Sequence, residues 1–196
     1  MSPNSKPTGY GGFGVWIATG MGLGWMRPAP GTWGSLPPVV LACALVLLGT
    51  DARHVDMSVA LLGLLFGLGC LAWGSDVEKR IGKKDPGAVV SDEIAGQSLA
   101  LLWLPWDNDQ GHTVATCAIA FFAFRFFDIV KPPPARGWQR LEGGLGILID
   151  DLVAGLYALV TTQILVRVRA EHLNIVQRKL MDCRSPPDRS RMTCAV

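Results

Sequence analysis

The stretch GGLGILIDDLVAGLYALVTTQILV, residues 143–166, is apolar enough to lie in a membrane, and its only charged side chains are two adjacent aspartates. Burying a carboxylate in hydrocarbon costs roughly 3 kcal/mol or more, so acids in such a stretch usually face a polar interior and serve a site. Two neighbouring aspartates also raise each other's pKa unless a cation lies nearby. Asp150 and Asp151 therefore predict a site among apolar helices, with positive charge beside it.

The composition of the whole chain also points to the membrane. Of its 196 residues, 49% are hydrophobic and 17% are charged, against about 25% charged in soluble domains, and the mean hydropathy is +0.31. Uncharged runs occupy 28–50, 57–75, 94–106, 110–124 and 152–166. A clean span needs about 20 apolar residues. Most of these runs are shorter, which suits half-inserted or tilted helices, or the helices of an apolar soluble bundle.

The pattern of apolar residues predicts an all-α fold, because the runs lack the alternation of half-buried strands. We expect a compact bundle in which several short membrane-embedded helices surround a polar, acidic site. Residues 1–12 are polar and glycine-rich and are predicted to be flexible, and residues 13–170 form the single folded domain. The polar, basic tail 171–196 is expected to prolong the last helix at its start and to be partly disordered.

The charges exclude some classes of protein and suggest an orientation. A net charge of +2, with no basic patch interleaved with aromatic residues, argues against binding to nucleic acid. Basic residues cluster at 79–84, 131–140 and in the tail, and the positive-inside rule places these regions in the cytoplasm. The N-terminus lacks the pattern of a secretory signal peptide, and the five cysteines lack the spacing of a zinc site or a disulfide framework.

Four polar islands interrupt the apolar sequence: APGTWGSLPP (29–38), DPGAVVSDEIAGQ (85–97), FRFFDIVKPPPARGW (124–138) and LGILIDDLVAG (145–155). The candidate charged groups among them are six carboxylates and two cations: Asp85, Asp92, Glu93, Asp128, Asp150, Asp151, Arg125 and Lys131. Magnesium would resolve the crowding of acids, because it takes carboxylate oxygens, keeps several waters and bridges to phosphate. In the third island, Pro132 must end a helix, which leaves Lys131 at the C-terminal end of that helix.

Each island alone also has a purely structural interpretation. Asp150 and Asp151 could form a helix N-terminus facing water and the dipole, and Asp92 with Glu93 could likewise open the helix that follows. Arg125 with Asp128 could be a salt bridge, and PGTWGS could be only a turn. The coincidence of all four islands, with acids and matched cations, favours a metal–phosphate site.

A second phosphatase signature lies in the tail. CRSPPDRS, residues 183–190, fits the Cys-x5-Arg-Ser loop of cysteine-dependent phosphatases, which needs a low-pKa thiolate and backbone N–H groups that cradle phosphate. Pro186 and Pro187 remove two of those donors. The loop also lacks glycine, so this chemistry is disfavoured.

Taken together, APGTWGS, the DPG and DE residues of 85–93, FRxxDxxKPxP at 124–134 and GGLGILIDDLVAG resemble the phosphatidylglycerophosphatase A family, from about residue 20 to residue 166. The resemblance implies a magnesium-dependent lipid phosphatase of the bacterial inner membrane. Such an enzyme removes the terminal phosphate of phosphatidylglycerophosphate to give phosphatidylglycerol, and its active site is expected to face the cytoplasm. The phospholipid substrate and the membrane are the expected partners.

The resemblance also implies roles for individual residues. The acids expected to act in catalysis and to bind magnesium are Asp92, Glu93, Asp128, Asp150 and Asp151. The residues expected at the substrate phosphate are Arg125, Lys131, Thr32 and Ser35, with Asp85 supporting the loop. Two alternatives remain open: a soluble phosphohydrolase of similar fold, and a small ion-coupled membrane carrier or membrane scaffold, since paired acids and cations in apolar helices also describe ion pathways.

Overall fold

The computed structural model describes residues 12–82, 86–106, 109–133 and 144–184, and the regular structure in these ranges is entirely helical. The α-helices are α1 (Phe13–Ala18), α2 (Pro30–Leu47), α3 (Ala52–Ile81), α4 (Ser91–Ala100), α5 (Gln110–Val130) and α6 (Gly144–Arg184), with a 3-10 turn at Leu23–Trp25. The all-α prediction is confirmed. The predictions of a flexible N-terminus (1–12) and of disorder at the end of the tail concern residues that lie almost wholly outside the described ranges.

Four helices are long and apolar enough to cross a membrane: α2, α3, α5 and the first thirty residues of α6. Helices α3, α5 and α6 are longer than the uncharged runs within them, because charged residues are tolerated near helix ends, where they reach the interface. Their outward faces carry large exposed apolar side chains, among them Leu61, Leu65, Leu68, Phe122 and Phe126. A monomer in water rarely exposes so much contiguous apolar surface, so these faces are suited to lipid.

The short helix α4 lies at the centre of the bundle. All but two of its residues are buried, and it packs against α2, α3, α5 and α6. It crosses α6 at two glycines, since a Cβ on Gly155 would overlap the carbonyl of Gly96. Small residues allow helix backbones to approach this closely within a membrane. Gly96 and Gly155 each lie one turn beyond an acid, Asp92 and Asp151, so the crossing brings those two acids together.

The bundle has two distinct ends, which the packing of α3 defines. Gly74 lies beside Gly144 at the start of α6, whereas Gly67 lies beside Ala95 and Leu148, so α3 runs antiparallel to α4 and α6. The acids therefore lie near the C-terminal part of α3. We refer to this side of the molecule as the acidic end.

The opposite side, the tryptophan end, is built around the loop that follows α4. Asp56 near the start of α3 accepts hydrogen bonds from the backbone N–H of Trp103 at 3.1 Å and from Nε1 of Trp106 at 3.3 Å. Gln163 of α6 donates to the Trp103 carbonyl. Exposed tryptophans also mark the acidic end, where Trp16 and Trp25 are each about half exposed.

Helix α5 begins and ends where its sequence requires. At its start the Asp109 side chain accepts a hydrogen bond of 2.9 Å from the N–H of His112, and this bond lowers the pKa of Asp109. At its end Lys131 adopts a left-handed conformation with φ of 49°, immediately before Pro132. The prediction that the helix ends before Pro132, with Lys131 at its C-terminal end, is confirmed.

Candidate active site

The structure gathers the predicted site residues from four helices at the acidic end. Ser35 comes from α2, Asp92 and Glu93 from the first turn of α4, and Arg125, Asp128 and Lys131 from the last turns and C-terminus of α5. Asp150 and Asp151 come from α6. Asp85, predicted as loop support, lies outside the described residues, as does most of CRSPPDRS.

Asp150 and Asp151 lie well inside α6, which already includes Gly144. They are buried, with 6% and 5% of their surfaces exposed. The alternative that they form an exposed helix N-terminus is therefore wrong. Asp92 and Glu93 do open α4, as that structural interpretation had it, and the helix dipole favours their negative charge there.

Arg125 is the first of two cations that hold the site together. Its Nη1 lies 2.9 Å from Asp128 Oδ2 and 3.8 Å from Glu93 Oε1, and it donates a 3.4 Å hydrogen bond to the Ser35 hydroxyl. The Ser35 hydroxyl in turn donates to the Gly31 carbonyl at 2.8 Å. The structural salt bridge between Arg125 and Asp128 thus exists, but the same guanidinium also connects α5 to α2 and α4.

Lys131 is the second cation, and its Nζ donates a hydrogen bond to Asp150 Oδ2. Partial burial lowers the pKa of Lys131, but the hydrogen bond with Asp150 and the charges of Asp150, Asp151 and Asp128 raise it by more. The net shift is upward, so the ammonium stays charged at neutral pH. About 27% of its side chain remains exposed, which leaves it accessible to a ligand.

Asp151 lies at the centre of the remaining negative charge. The carboxylates of Asp92, Asp128 and Glu93 are close enough to act on it electrostatically. Its Oδ2 is buried, and no donor among the described residues contacts that atom. Five acids lie in this region with only two cations among the described residues. A further positive group would stabilise the excess negative charge.

The described side chains do not form a preassembled metal site, because no three of their His, Cys, Asp or Glu residues are arranged to hold an ion. The chemistry of the donors nevertheless suits magnesium, since all of them are carboxylate oxygens. Magnesium keeps several waters and is often bound by only one or two carboxylates together with substrate phosphate. The residues therefore fit a hydrated magnesium ion, which remains a prediction.

The first island forms the opening turns of α2, so the alternative that PGTWGS is only a turn is wrong. Its glycines let α2 approach the site, because a Cβ on Gly31 would overlap the Glu93 carboxylate, and one on Gly34 would lie 2.7 Å from Glu93 Oε2. Thr32 lies in the same turn and is half-buried. No side-chain hydrogen bond from Thr32 to the acids or cations is seen within the described ranges.

Sequence reasoning missed several residues that shape the site. Gln97 is fully buried one turn beyond Glu93, and neither of its amide atoms has a hydrogen-bond partner among the described residues. Its only signal was its place in the second island, four residues after Glu93. Gly96 and Gly155 also lie in islands, but their role depends on which helices pair. The motifs could not show that pairing.

Comparison with known proteins supports the family resemblance seen in the sequence. A family model described as Phosphatidylglycerophosphatase A matches residues 16–166. The chain is 39% identical over 146 residues to a protein of Haemophilus influenzae named Phosphatidylglycerophosphatase A, covering 74% of this chain and 83% of that protein. A protein of the same name from Escherichia coli K12 is 33% identical over 141 residues, covering 71% and 76%.

A third relative carries a different name. The protein from Bacteroides thetaiotaomicron named Putative phosphatidylinositol-3-phosphatase is 36% identical over 146 residues, covering 74% of this chain and 89% of its own length. No solved structure matches the chain. The matched region includes every described residue of the site and ends where α6 leaves the bundle.

Proposed function

The chain belongs to the phosphatidylglycerophosphatase A family, and we propose that it is a magnesium-dependent phosphatase that converts phosphatidylglycerophosphate to phosphatidylglycerol and phosphate. Family membership makes it a phosphoric monoester hydrolase that acts on lipid in phospholipid biosynthesis. The individual substrate and the metal are parts of the proposal. It rests on one observation above all, the meeting of five carboxylates and two cations at one end of an apolar bundle.

The two cations would bind the phosphate of the substrate. The contacts that Arg125 makes with Asp128, Glu93 and Ser35 all use Nη1, and a guanidinium has five N–H donors in a planar fork. The rest of the fork can therefore bind phosphate in bidentate fashion. Lys131, charged and partly exposed, would supply a second contact. Thr32 would add a hydroxyl at the start of α2, where the helix dipole also favours an anion.

The acids around Asp151 would hold the metal. Asp92, Asp128 and Glu93 all act on Asp151 electrostatically, and Asp150 would complete the predicted set. Glu93 and Asp150 would also hold Arg125 and Lys131 in place. When bound, magnesium supplies positive charge and Lewis acidity toward the phosphoryl oxygen. Asp151, with its buried Oδ2, is our candidate for accepting the proton of the attacking water.

The location of the site suits a lipid substrate. The acids lie at one end of helices able to cross the bilayer, which places them near headgroup depth, so a lipid could present its phosphate without leaving the membrane. Lys79 and Arg80 lie in the last turn of α3, beyond the acidic end. By the positive-inside rule they support an inner-membrane protein whose active site faces the cytoplasm.

The proposal is tested by phosphate release from purified protein in detergent. Phosphatidylglycerophosphate should be hydrolysed with magnesium present, EDTA should stop the reaction, and added magnesium should restore it. Asp151→Asn serves as the inactive control. No release from this lipid in the presence of magnesium would contradict the proposal.

The same assay separates the competing functions. The name of the Bacteroides relative makes phosphatidylinositol 3-phosphate the second candidate substrate. If phosphate is released faster from that lipid than from phosphatidylglycerophosphate, that lipid replaces phosphatidylglycerophosphate as the proposed substrate. An ion-coupled carrier would release phosphate from neither lipid. A soluble phosphohydrolase would appear in the high-speed supernatant of cells broken without detergent.

A further inference from the structure

Lys131 lies in a turn with an unusual backbone conformation. Its φ of 49° and ψ of 69° are left-handed, which costs free energy for a residue that carries a Cβ. A backbone hydrogen bond of 2.8 Å, from the Lys131 N–H to the Phe127 carbonyl, fixes the start of the turn. Pro132 and Pro133 follow and have no N–H with which to continue such bonds. The rest of the turn therefore needs support from another element.

Tyr157 of α6 supplies that support. Its hydroxyl donates a 2.9 Å hydrogen bond to the Pro133 carbonyl. Its ring lies against that of Phe127, with the centroids 5.4 Å apart and the ring planes inclined by 30°. One side chain thus contacts residues on both sides of Lys131 in the sequence. These two contacts join the end of α5, and the segment that follows it, to α6.

The same face of α6 also binds the Lys131 side chain. Tyr157 lies seven residues beyond Asp150, which is about two turns, so the two side chains share one face of the helix. Asp150 Oδ2 accepts the hydrogen bond from Lys131 Nζ, whereas Tyr157 binds the backbone of the turn. A long side chain on a helix leans toward the N-terminus of that helix, which for α6 is the acidic end. Residue 131 is therefore held by its ammonium group and by its backbone.

The position of Tyr157 makes its hydrogen bond difficult to replace. The residue lies within the part of α6 that can cross a membrane. In hydrocarbon neither a phenol nor a carbonyl can exchange its partner for water. Opening the turn would leave the Tyr157 hydroxyl and the Pro133 carbonyl unsatisfied together, so the membrane itself favours the closed turn.

We propose that Tyr157 is a positioning residue for phosphate binding, which holds the turn at 131–133 so that the Lys131 ammonium is presented to the substrate. This inference rests on the function proposed above, in which Lys131 contacts the substrate phosphate. Tyr157 acts through Lys131, since its own hydroxyl is engaged by Pro133 and its ring by Phe127. A tyrosine that only braced two helices, or only anchored the protein in the bilayer, would affect stability and leave substrate binding unchanged.

A matched pair of variants separates these roles. Tyr157→Phe removes the hydroxyl and keeps the ring. The control, Gln163→Leu, removes a hydrogen bond that the same helix donates to the Trp103 carbonyl at the tryptophan end. Both variants should lose some thermal stability in detergent, but only Tyr157→Phe should raise KM. We expect a rise of about fivefold, the factor that one ordinary hydrogen bond is worth. The value of kcat should change little, because a contact made equally in the ground and transition states is weakened.

Either of two kinetic results would overturn the proposal. One is a KM for Tyr157→Phe equal to that of the wild type, and the other is a fall in kcat alone. A double-mutant cycle adds a sharper criterion, because Tyr157→Phe should not raise KM further in a Lys131→Gln background, where the group that it positions is gone. A rise by the same factor in both backgrounds would mean that Tyr157 acts independently of Lys131.

Hydrogen exchange reports on the turn itself and does not depend on turnover. The Lys131 amide, which donates to the Phe127 carbonyl, should exchange faster in Tyr157→Phe than in the wild type, and at the wild-type rate in Gln163→Leu. An unchanged rate in Tyr157→Phe would overturn the proposal even in a fully active enzyme. Failure of the wild-type protein to release phosphate would instead sink the proposed function, and the exchange rates would still decide whether Tyr157 holds the turn.

Discussion

The helix α6 consists of two parts that differ sharply in their surroundings. Residues 144–166 pack against α3, α4 and α5 and bury Asp150 and Asp151. From residue 167 onward every side chain that the structure describes is exposed, including Arg167 and Arg169. The family match also ends at residue 166. The first part of this helix thus carries buried charges that need compensating partners, and the second part carries charges that water can hydrate.

The difference shows why the location of a charge matters more than its presence. A hydrated arginine on a projecting helix contributes little to the stability of the fold or to a site. A buried carboxylate stays charged only where cations, hydrogen-bond donors or a metal offset the cost of its desolvation. The buried part of α6 has Lys131 and Arg125 nearby, and the projecting part has no comparable set of partners among the described residues. Function should therefore depend on charges in the first part and tolerate changes in the second.

The largest effect is expected from Asp151→Asn. The amide keeps the shape of the side chain but removes its charge, so turnover should fall by about 10²- to 10³-fold, the scale seen when a preorganised electrostatic group is lost. Phosphate release measures this loss, and gel filtration in detergent should show that the variant still folds. If Asp150→Asn and Asp151→Asn both kept near-normal activity and magnesium dependence, the buried part of α6 would have no catalytic role.

Arg125→Lys should have the next largest effect. An ammonium keeps the charge but loses the planar fork, and the loss of a charge-assisted hydrogen bond of about 1.5–3 kcal/mol corresponds to roughly a 10- to 100-fold rise in KM. The magnesium concentration for half activity should change less than KM. Arg167→Lys in the projecting part is the matched control and should leave both unchanged. A larger change in the magnesium concentration for half activity than in KM would show that Arg125 supports metal binding rather than substrate binding.

A smaller effect, on stability as well as activity, is expected from Gly155→Ala. The added Cβ would overlap the carbonyl of Gly96 and force α4 and α6 apart, at about 1–3 kcal/mol for overpacking. Asp92 and Asp151 would separate with the helices, so activity should fall together with the melting temperature in detergent. Ala170→Leu adds bulk to the projecting part and should change neither. A Gly155→Ala protein with unchanged melting temperature would place the crossing elsewhere.

The smallest effect is expected from removing residues 171–196. This deletion leaves the buried part of α6 and every described site residue in place, so kcat and KM should match those of the full chain. Loss of activity after truncation would mean that the projecting part, or the residues after it, contributes to the site.

Much of this arrangement could be predicted from the sequence because it follows from local chemistry. Apolar runs without alternation predicted the helices, Pro132 predicted the helix end at Lys131, and acids inside apolar helices predicted a buried site. The Gly96–Gly155 crossing and the burial of Gln97 could not be predicted, because they depend on which helix faces meet. A motif specifies residues along one chain segment, whereas these features are set by the pairing of two.

The two sets of tryptophans have a consequence for the membrane itself. At the acidic end Trp73 of α3 packs against Phe13 of α1. It lies 17 residues along α3 from Asp56, which holds Trp103 and Trp106, or about 25 Å along the helix axis. Indole rings prefer the two interfaces of a bilayer, so this spacing matches a hydrocarbon core slightly thinner than the common 30 Å or so.

A thicker bilayer would create a hydrophobic mismatch, which the protein would relieve by standing more upright or by thinning the lipid around it. Either response changes how far the carboxylates lie below the headgroups. The length of the surrounding lipids thus becomes a variable of the reaction, independent of the chains carried by the substrate.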